Sequence, residues 1–255
     1  MQQIVGQLVF GGNPELEVRR VSSFFDWRGA PTAEKLAEVE AQTYRRFFKT
    51  HLPVDALVYS LIARYVYVAR DGRDVAWSRY RHESNYTQAV RDSLNTAPGV
   101  GGPLVEPPPV DVRQFWRDWL DHGDTDGLYY WEHVRGWWAI RDLPNVLLVH
   151  YSNLKRDLPG EMRRVAAFLD ISIDESRWDA MLEYCSFGWM KAHASGAAPS
   201  GDAIWEGGAT VFFHRGANGR WVDTLTPDEI AAYEARALAE LGPECARWLA
   251  TGEGR

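Results

Sequence analysis

The sequence predicts an α/β fold: a single domain with a central, mainly parallel sheet flanked by helices. Two runs, RYVYVAR at 64–70 and NVLLVHY at 145–151, are rich in β-branched and aromatic residues and read as buried strands. Each leads into a segment of helical period, and strands alternating with helices favour a parallel sheet. The remaining elements follow in chain order. Residues 1–10 are an amphipathic helix, with Ile4, Val5, Leu8 and Val9 at helical spacing and a stop at Gly11-Gly12-Asn13-Pro14. A polar stretch broken by Phe24, Phe25 and Trp27 leads to a helix over 32–43, capped by Thr32. RRFFKTHLP ends in Pro53, which suits a short strand leaving a sheet. After the 64–70 strand the chain turns at Asp71-Gly72 into a helix, DVAWSRYRH. The proline- and glycine-rich segment 97–109 is a long loop or lid. Two aromatic helices, 111–122 and 129–142, precede the 145–151 strand, with Trp137 and Trp138 as packing residues. Helices at 160–170 and 174–185, then a Gly/Ala/Ser-rich loop over 192–208, lead to a final long helix of about 227–250. Thr226-Pro227-Asp228-Glu229 supplies its cap, its first-turn proline and its first-turn acids.

Composition narrows the function classes. The 255 residues carry a net charge of -7, with 45% hydrophobic and 25% charged residues, which is globular and not disordered usage. A net negative chain has no global attraction for nucleic acid or anionic membrane. Two cysteines, Cys185 and Cys245, are too few for a zinc ribbon or a disulfide scaffold, and their use fits a reducing compartment. MQQIVGQLVFGG lacks the basic region of a signal peptide, and no stretch approaches the ~20 apolar residues of a membrane span. The expectation is a cytoplasmic protein with no membrane insertion and no nucleic-acid partner. The aromatic content stands out, with 12 Trp in one chain.

Ligands in open parallel sheets sit beyond the carboxyl ends of the strands, and three strand ends carry chemistry. Lys49 and His51 are two apart, so in an extended segment both point to one side. A cation beside an imidazole suits acid–base work near an anion; the alternative is a surface lysine beside a capping histidine. Arg70 ends a strand and Ser78 lies eight residues on, near the second turn of the next helix. A guanidinium fork, a hydroxyl and a helix start suit a phosphate; the alternative is surface pairing of Arg70 and Arg73 with Asp71 and Asp74. Tyr151 follows the second strand and either caps a ligand or closes the sheet edge. Other signals fall away. DHGDTDG at 121–127 lacks the ligand pattern of an EF-hand. Gly101-Gly102 lies in a proline-rich loop, and G-x-x-x-x-G-K-[ST], G-x-S-x-G and H-E-x-x-H are absent.

Five motifs in order resemble the cytosolic-type sulfotransferases, which move a sulfuryl group from 3′-phosphoadenosine 5′-phosphosulfate (PAPS) to a hydroxyl or amine. FFKTHLP (47–53) is similar to the family's strand bearing the catalytic histidine. RYVYVARDGRDVAWS (64–78) resembles its 3′-phosphate motif, and WEHVRGWWAIRDLPNVLLVHYSNLKRD (131–157) its W-x-H-V-x-G-W-W block and Y-E-D-L-K turn. CSFGWMK (185–191) looks like T-S-F-x-x-M-K, and FFHRGANGRW (212–221) stands where the family has R-K-G-x-x-G-D-W. The resemblance spans nearly the whole chain, 1–255, as one sulfotransferase domain, with a fold like that of the P-loop nucleotide hydrolases. It implies that His51 is the general base and that Lys49 stabilises charge on the transferred group. It implies that Arg70, Ser78, His214, Arg215 and the Gly216 amide hold the 3′-phosphate. Tyr151, Cys185, Phe187 and Met190 would surround the adenine. The acceptor would be a small, apolar or aromatic molecule met by Phe24, Phe25, the region of His82 and the 97–130 loops. PAPS is the implied co-substrate, 3′-phosphoadenosine 5′-phosphate (PAP) the product, and no metal is implied.

Departures accompany the resemblance. His214-Arg215 replaces Arg-Lys, Cys185 replaces threonine, and Arg220 replaces aspartate. No Y-P-K-S-G-T-T-W loop, the family's binder of the 5′-phosphosulfate, occurs in the sequence, and Met1–Val5 reads like the helix that follows it. The expectation is thus a fold without its first strand and loop. It leaves a catalytically silent, sulfotransferase-like nucleotide- or partner-binding protein as the alternative function. A kinase-like phosphotransferase is a third reading, opposed by the missing phosphate loop and metal-binding aspartate. A homodimer is left open by a faint echo, at 222–231, of a dimer motif of animal relatives.

Overall fold

A computed structural model describes residues 1–26, 32–96, 104–122, 130–198 and 201–254. Trp27, Gly101-Gly102, the front of the 97–109 loop and most of the 121–127 turn lie outside the described residues. The chain divides into two compact units. One comprises Met1–His51, Asn85–Gly101 and Met162–Gly216; the other comprises Leu52–Ser84, Gly102–Glu161 and Ala217–Arg255.

The second unit carries the sheet. Strand β1 (Tyr65–Ala69) pairs in parallel with β2 (Val146–His150), in a register running from Tyr65 opposite Val146 to Ala69 opposite His150. Helices Gly72–Ser84, Val112–His122, Tyr130–Ala139 and Pro227–Thr251 belong to this unit. Their apolar residues recur at helical spacing: Phe115, Trp116 and Trp119 on one, Trp131, Val134, Trp137 and Trp138 on the next. With Trp77, Leu148, Trp248 and Leu249 they form one buried cluster. Seven of the twelve tryptophans lie in this cluster, each worth roughly 2 kcal/mol or more of burial. Tyr67 of β1 stacks on Trp137 at 5.4 Å between ring centroids, which ties the sheet to the aromatic helix.

Two glycines shape this unit. Gly72 starts its helix where a Cβ would stand 2.7 Å from the Tyr130 ring and 2.8 Å from the Tyr233 hydroxyl. Only a bare backbone lets its N–H donate to Tyr233 at 3.0 Å. Gly242 (φ 72, ψ 169) interrupts the C-terminal helix. The sequence predicts one uninterrupted helix there; Pro243, which lacks an N–H and restricts the preceding residue, sets the break. The expected cap is present: Thr226 Oγ accepts from Glu229 N, and Glu229 accepts from Thr226 N.

In the first unit, helix Gln2–Val9 packs against helix Trp178–Cys185 and buries Ile4, Val5, Leu8 and Met181. The expected strand at 47–53 is reduced to a single parallel bridge between Phe24 and Lys49. Lys49 N donates to Ser23 O and Phe25 N to Lys49 O, but His51 N turns to the Asp26 carboxylate at 2.8 Å and Pro53 has no N–H to give. Pairing stops because the next donor is diverted. The segment 192–208 is not a plain loop: Ala194–Ala197 and Gly201–Ile204 form single helical turns. Trp205 behind them is buried and bridges to Tyr86. Among the described residues, no helix is long and apolar enough to cross a membrane.

Candidate functional site

In the first unit the chain meets itself across 25 residues at the Phe24–Lys49 bridge. The Lys49 ammonium lies 4.3 Å from the Phe24 ring centroid, and the His51 imidazole packs on the same ring at 4.7 Å. Lys49 and His51 thus converge on one aromatic side chain, as their i, i+2 spacing predicts. Asp26 holds the His51 backbone through Oδ2. Phe25 neighbours Phe48 at 6.0 Å, and both are partly exposed. A half-buried cation and imidazole on an apolar ring can orient a hydroxyl, take its proton and face negative charge.

A second cluster of the same unit brings together 185–190 and 214–216. Ser186 caps helix Phe187–Ala192 by accepting from Trp189 N at 3.1 Å. Gly216 adopts φ +59, and a Cβ there would stand 2.6 Å from the Phe187 ring. Glycine is required twice over, by conformation and by the approach of the ring. Lys191 Nζ donates to His214 O at 3.3 Å, which fastens the segment to the helix. Cys185 is buried, and burial pushes its thiol up to about 12, so it is neutral at physiological pH. Phe187, Met190 and His214 are half-buried, and Arg215 is exposed.

In the second unit, Arg70 follows β1 and Tyr151 follows β2. The register pairing Ala69 with His150 makes them neighbours, and the Arg70 guanidinium lies over the Tyr151 ring at 4.4 Å. Arg70 Nε donates to Asn218 Oδ1 at 3.0 Å and Nη2 to Ala217 O at 2.9 Å. Asp74 Oδ1 stands 3.8 Å from Nη2 and accepts from Gly219 N at 2.8 Å. Burial holds the Asp74 carboxyl above its usual range, with Arg70 and the Gly219 N–H opposing that shift. Asp74 and Ser78 are four apart on helix Gly72–Ser84, so the exposed Ser78 shares the helix face of the Arg70 partner.

The alternative pairing also forms, but it is not on the surface. Arg73 Nη2 and Asp71 Oδ2 lie 2.7 Å apart with both side chains buried, and Arg73 stacks 3.9 Å from the Trp221 ring. His82 sits half-buried in the last turn of helix Gly72–Ser84, in the second unit, whereas Phe24 and Phe25 belong to the first.

Sequence reasoning named Asp74 as a partner for the arginines but missed two residues: Asp26 behind His51 and Asn218 against the guanidinium. The Gly216-x-x-Gly219 spacing marks a tight turn that presents Asn218, since both glycines have positive φ. That was the available signal for one of the two.

Comparisons with known proteins agree on one family. The profile of the sulfotransferase domain matches residues 1–241. A glycolipid sulfotransferase of Mycobacterium bovis (strain BCG / Pasteur 1173P2) is 31% identical over 276 residues, covering 98% of this chain and 84% of the relative. Among solved structures, a mouse sulfotransferase complexed with PAP superposes with a TM-score of 0.67 at 22% identity, covering 85% of this chain and 74% of that one. Retinol dehydratase, in complex with androsterone and PAP, gives 0.71 at 23% identity, covering 94% and 76%.

Proposed function

The chain belongs to the sulfotransferase domain family, and from that premise we propose that it transfers the sulfuryl group of PAPS to a hydroxyl or amine of a small, apolar or aromatic acceptor. The observation that carries this is the meeting of Lys49 and His51 on the Phe24 ring. PAPS, when bound, supplies an activated sulfur whose leaving group is PAP. The residues of this chain do the rest. His51 accepts the acceptor's proton as its oxygen or nitrogen attacks, a contribution of about 10²–10⁴-fold for a positioned base. Lys49 faces the negative charge that builds on the transferring group. Phe24 and Phe25 offer the acceptor an apolar surface beside the base.

The nucleotide is recognised by groups whose chemistry fits a 3′-phosphoadenosine. In the second unit Arg70 and Ser78 suit the 3′-phosphate; in the first, Arg215, the Gly216 N–H and His214 are donors of the kind an anion takes. Two donors of the Arg70 guanidinium are engaged by 217–218, and the cation remains on the Tyr151 face. Tyr151, Phe187, Met190 and Cys185 suit a purine. Gly216 lets the Phe187 ring lie directly against the 214–216 backbone, which keeps the aromatic ring and the Gly216 N–H side by side. The names of the relatives also support PAP as a ligand and a glycolipid as one acceptor to include.

The test is sulfuryl transfer from labelled PAPS to a panel of phenols, alcohols, amines and glycolipid hydroxyls. We expect transfer to at least one acceptor class and a loss of at least about 100-fold in His51→Ala, with the Kd for PAP within about twofold of the parent. Near-full transfer by His51→Ala would overturn the role of the base. Binding of PAP with no transfer to any acceptor would favour a silent nucleotide-binding protein.

A further inference from the structure

We infer that Asn218 is a positioning residue for Arg70 and sets how the guanidinium meets a phosphate. The inference rests on the reading of Arg70 as the 3′-phosphate anchor. A guanidinium has five N–H donors in a rigid plane. Asn218 Oδ1 accepts from Nε at 3.0 Å and Ala217 O from Nη2 at 2.9 Å, so the Nε–Nη2 edge is taken by the 217–218 backbone and amide. The Tyr151 ring at 4.4 Å holds the plane from one face. The terminal Nη1–Nη2 end is thereby aimed away from Asn218, and that end is the fork that grips a phosphate with two parallel hydrogen bonds.

Asn218 is itself held. Its Nδ2 donates to Ser152 Oγ at 3.0 Å. Ser152 N donates to His150 Nδ1 at 3.2 Å, and His150 Nε2 pairs with Leu249 O at 3.0 Å deep in the unit. The neighbouring Gly219 N donates to the buried Asp74. The amide therefore connects the arginine to the floor of the fold through three successive contacts. Its neutrality matters as much as its shape. Asp74 already stands 3.8 Å from Nη2. A second carboxylate, at 218, would keep the acceptor but offset the remaining positive charge. An amide orients the cation and leaves its charge for the ligand.

The measurement is calorimetric binding of two probes, PAP and adenosine 5′-phosphate, the second lacking the 3′-phosphate. Losing a hydrogen bond to a charged group corresponds to roughly a tenfold change in affinity. Asn218→Ala is expected to weaken PAP about tenfold and adenosine 5′-phosphate less than about twofold. Asn218→Asp is expected to weaken PAP more than Asn218→Ala does, while its melting temperature stays at or above that of Asn218→Ala. Arg70→Ala, run in parallel, should cut the preference for PAP at least about tenfold. Equal losses for both probes in Asn218→Ala, or PAP binding by Asn218→Asp as tight as in the parent, would overturn the inference while leaving Arg70 as the anchor. A preference for PAP undiminished in Arg70→Ala would overturn both.

Discussion

In the proposed chemistry two side chains, Lys49 and His51, meet on one ring, that of Phe24. Lys49 and His51 were legible because an extended backbone puts residues i and i+2 on one side. Phe24 as their shared platform was not, because a parallel bridge across 25 residues brings it there, and no local pattern encodes such a pairing. Asp26 was hidden for the same reason. At this scale two outcomes are expected. Lys49→Ala should lower kcat for sulfuryl transfer by about 10²-fold while moving the KM for the acceptor little, since it faces charge that develops during the reaction; a change confined to KM would contradict this role. Gly216→Ala should lower the melting temperature and weaken PAP binding, because the new Cβ meets Phe187 at 2.6 Å in a positive-φ conformation. An unchanged melting temperature and Kd would show that the Phe187 ring yields.

Among the elements, termini and connections decided what could be read from the sequence. Thr226-Pro227-Asp228-Glu229 announced its helix correctly because capping chemistry is local. Thr226→Ala should cost about 1 kcal/mol in urea unfolding. The break at Gly242-Pro243 escaped because an apolar period continues through it, to Cys245, Trp248 and Leu249. His150 ends β2 and caps the next helical turn. Burial lowers its pKa from the ordinary 6.5, and the Leu249 carbonyl partly opposes this. Its neutral ring accepts from Ser152 and donates to Leu249. The folded state thus resists the proton that the unfolded chain binds, so stability is full above about pH 6.5 and falls as pH drops below it. Thermal unfolding from pH 7.5 to pH 5.5 should show a steeper decline for the parent than for His150→Gln. Parallel declines would remove His150 from that pH dependence.

For the whole molecule, the composition already held the outline. Twelve tryptophans and two short β-branched runs imply an aromatic α/β core, and that core is the cluster around Trp116, Trp131 and Trp137. The sheet is smaller than the expectation: among the described residues it has two strands. Arg70 and Tyr151 at adjacent strand ends follow from the parallel register, so this part of the candidate site was legible once both strands were recognised. Asn218 was not, because it reaches Arg70 from 148 residues away in the chain. A ligand that binds only the folded state raises its stability, by about 2.7 kcal/mol at one hundred times its Kd. PAP should therefore raise the melting temperature of the parent and do so far less in Arg70→Ala. The most direct measurement is the stoichiometry of the reaction itself, with PAPS and an accepted phenol, alcohol, amine or glycolipid. The expected result is one PAP released for each sulfated acceptor formed; release of PAP without a sulfated product, or no release with any acceptor, would contradict sulfuryl transfer by this chain.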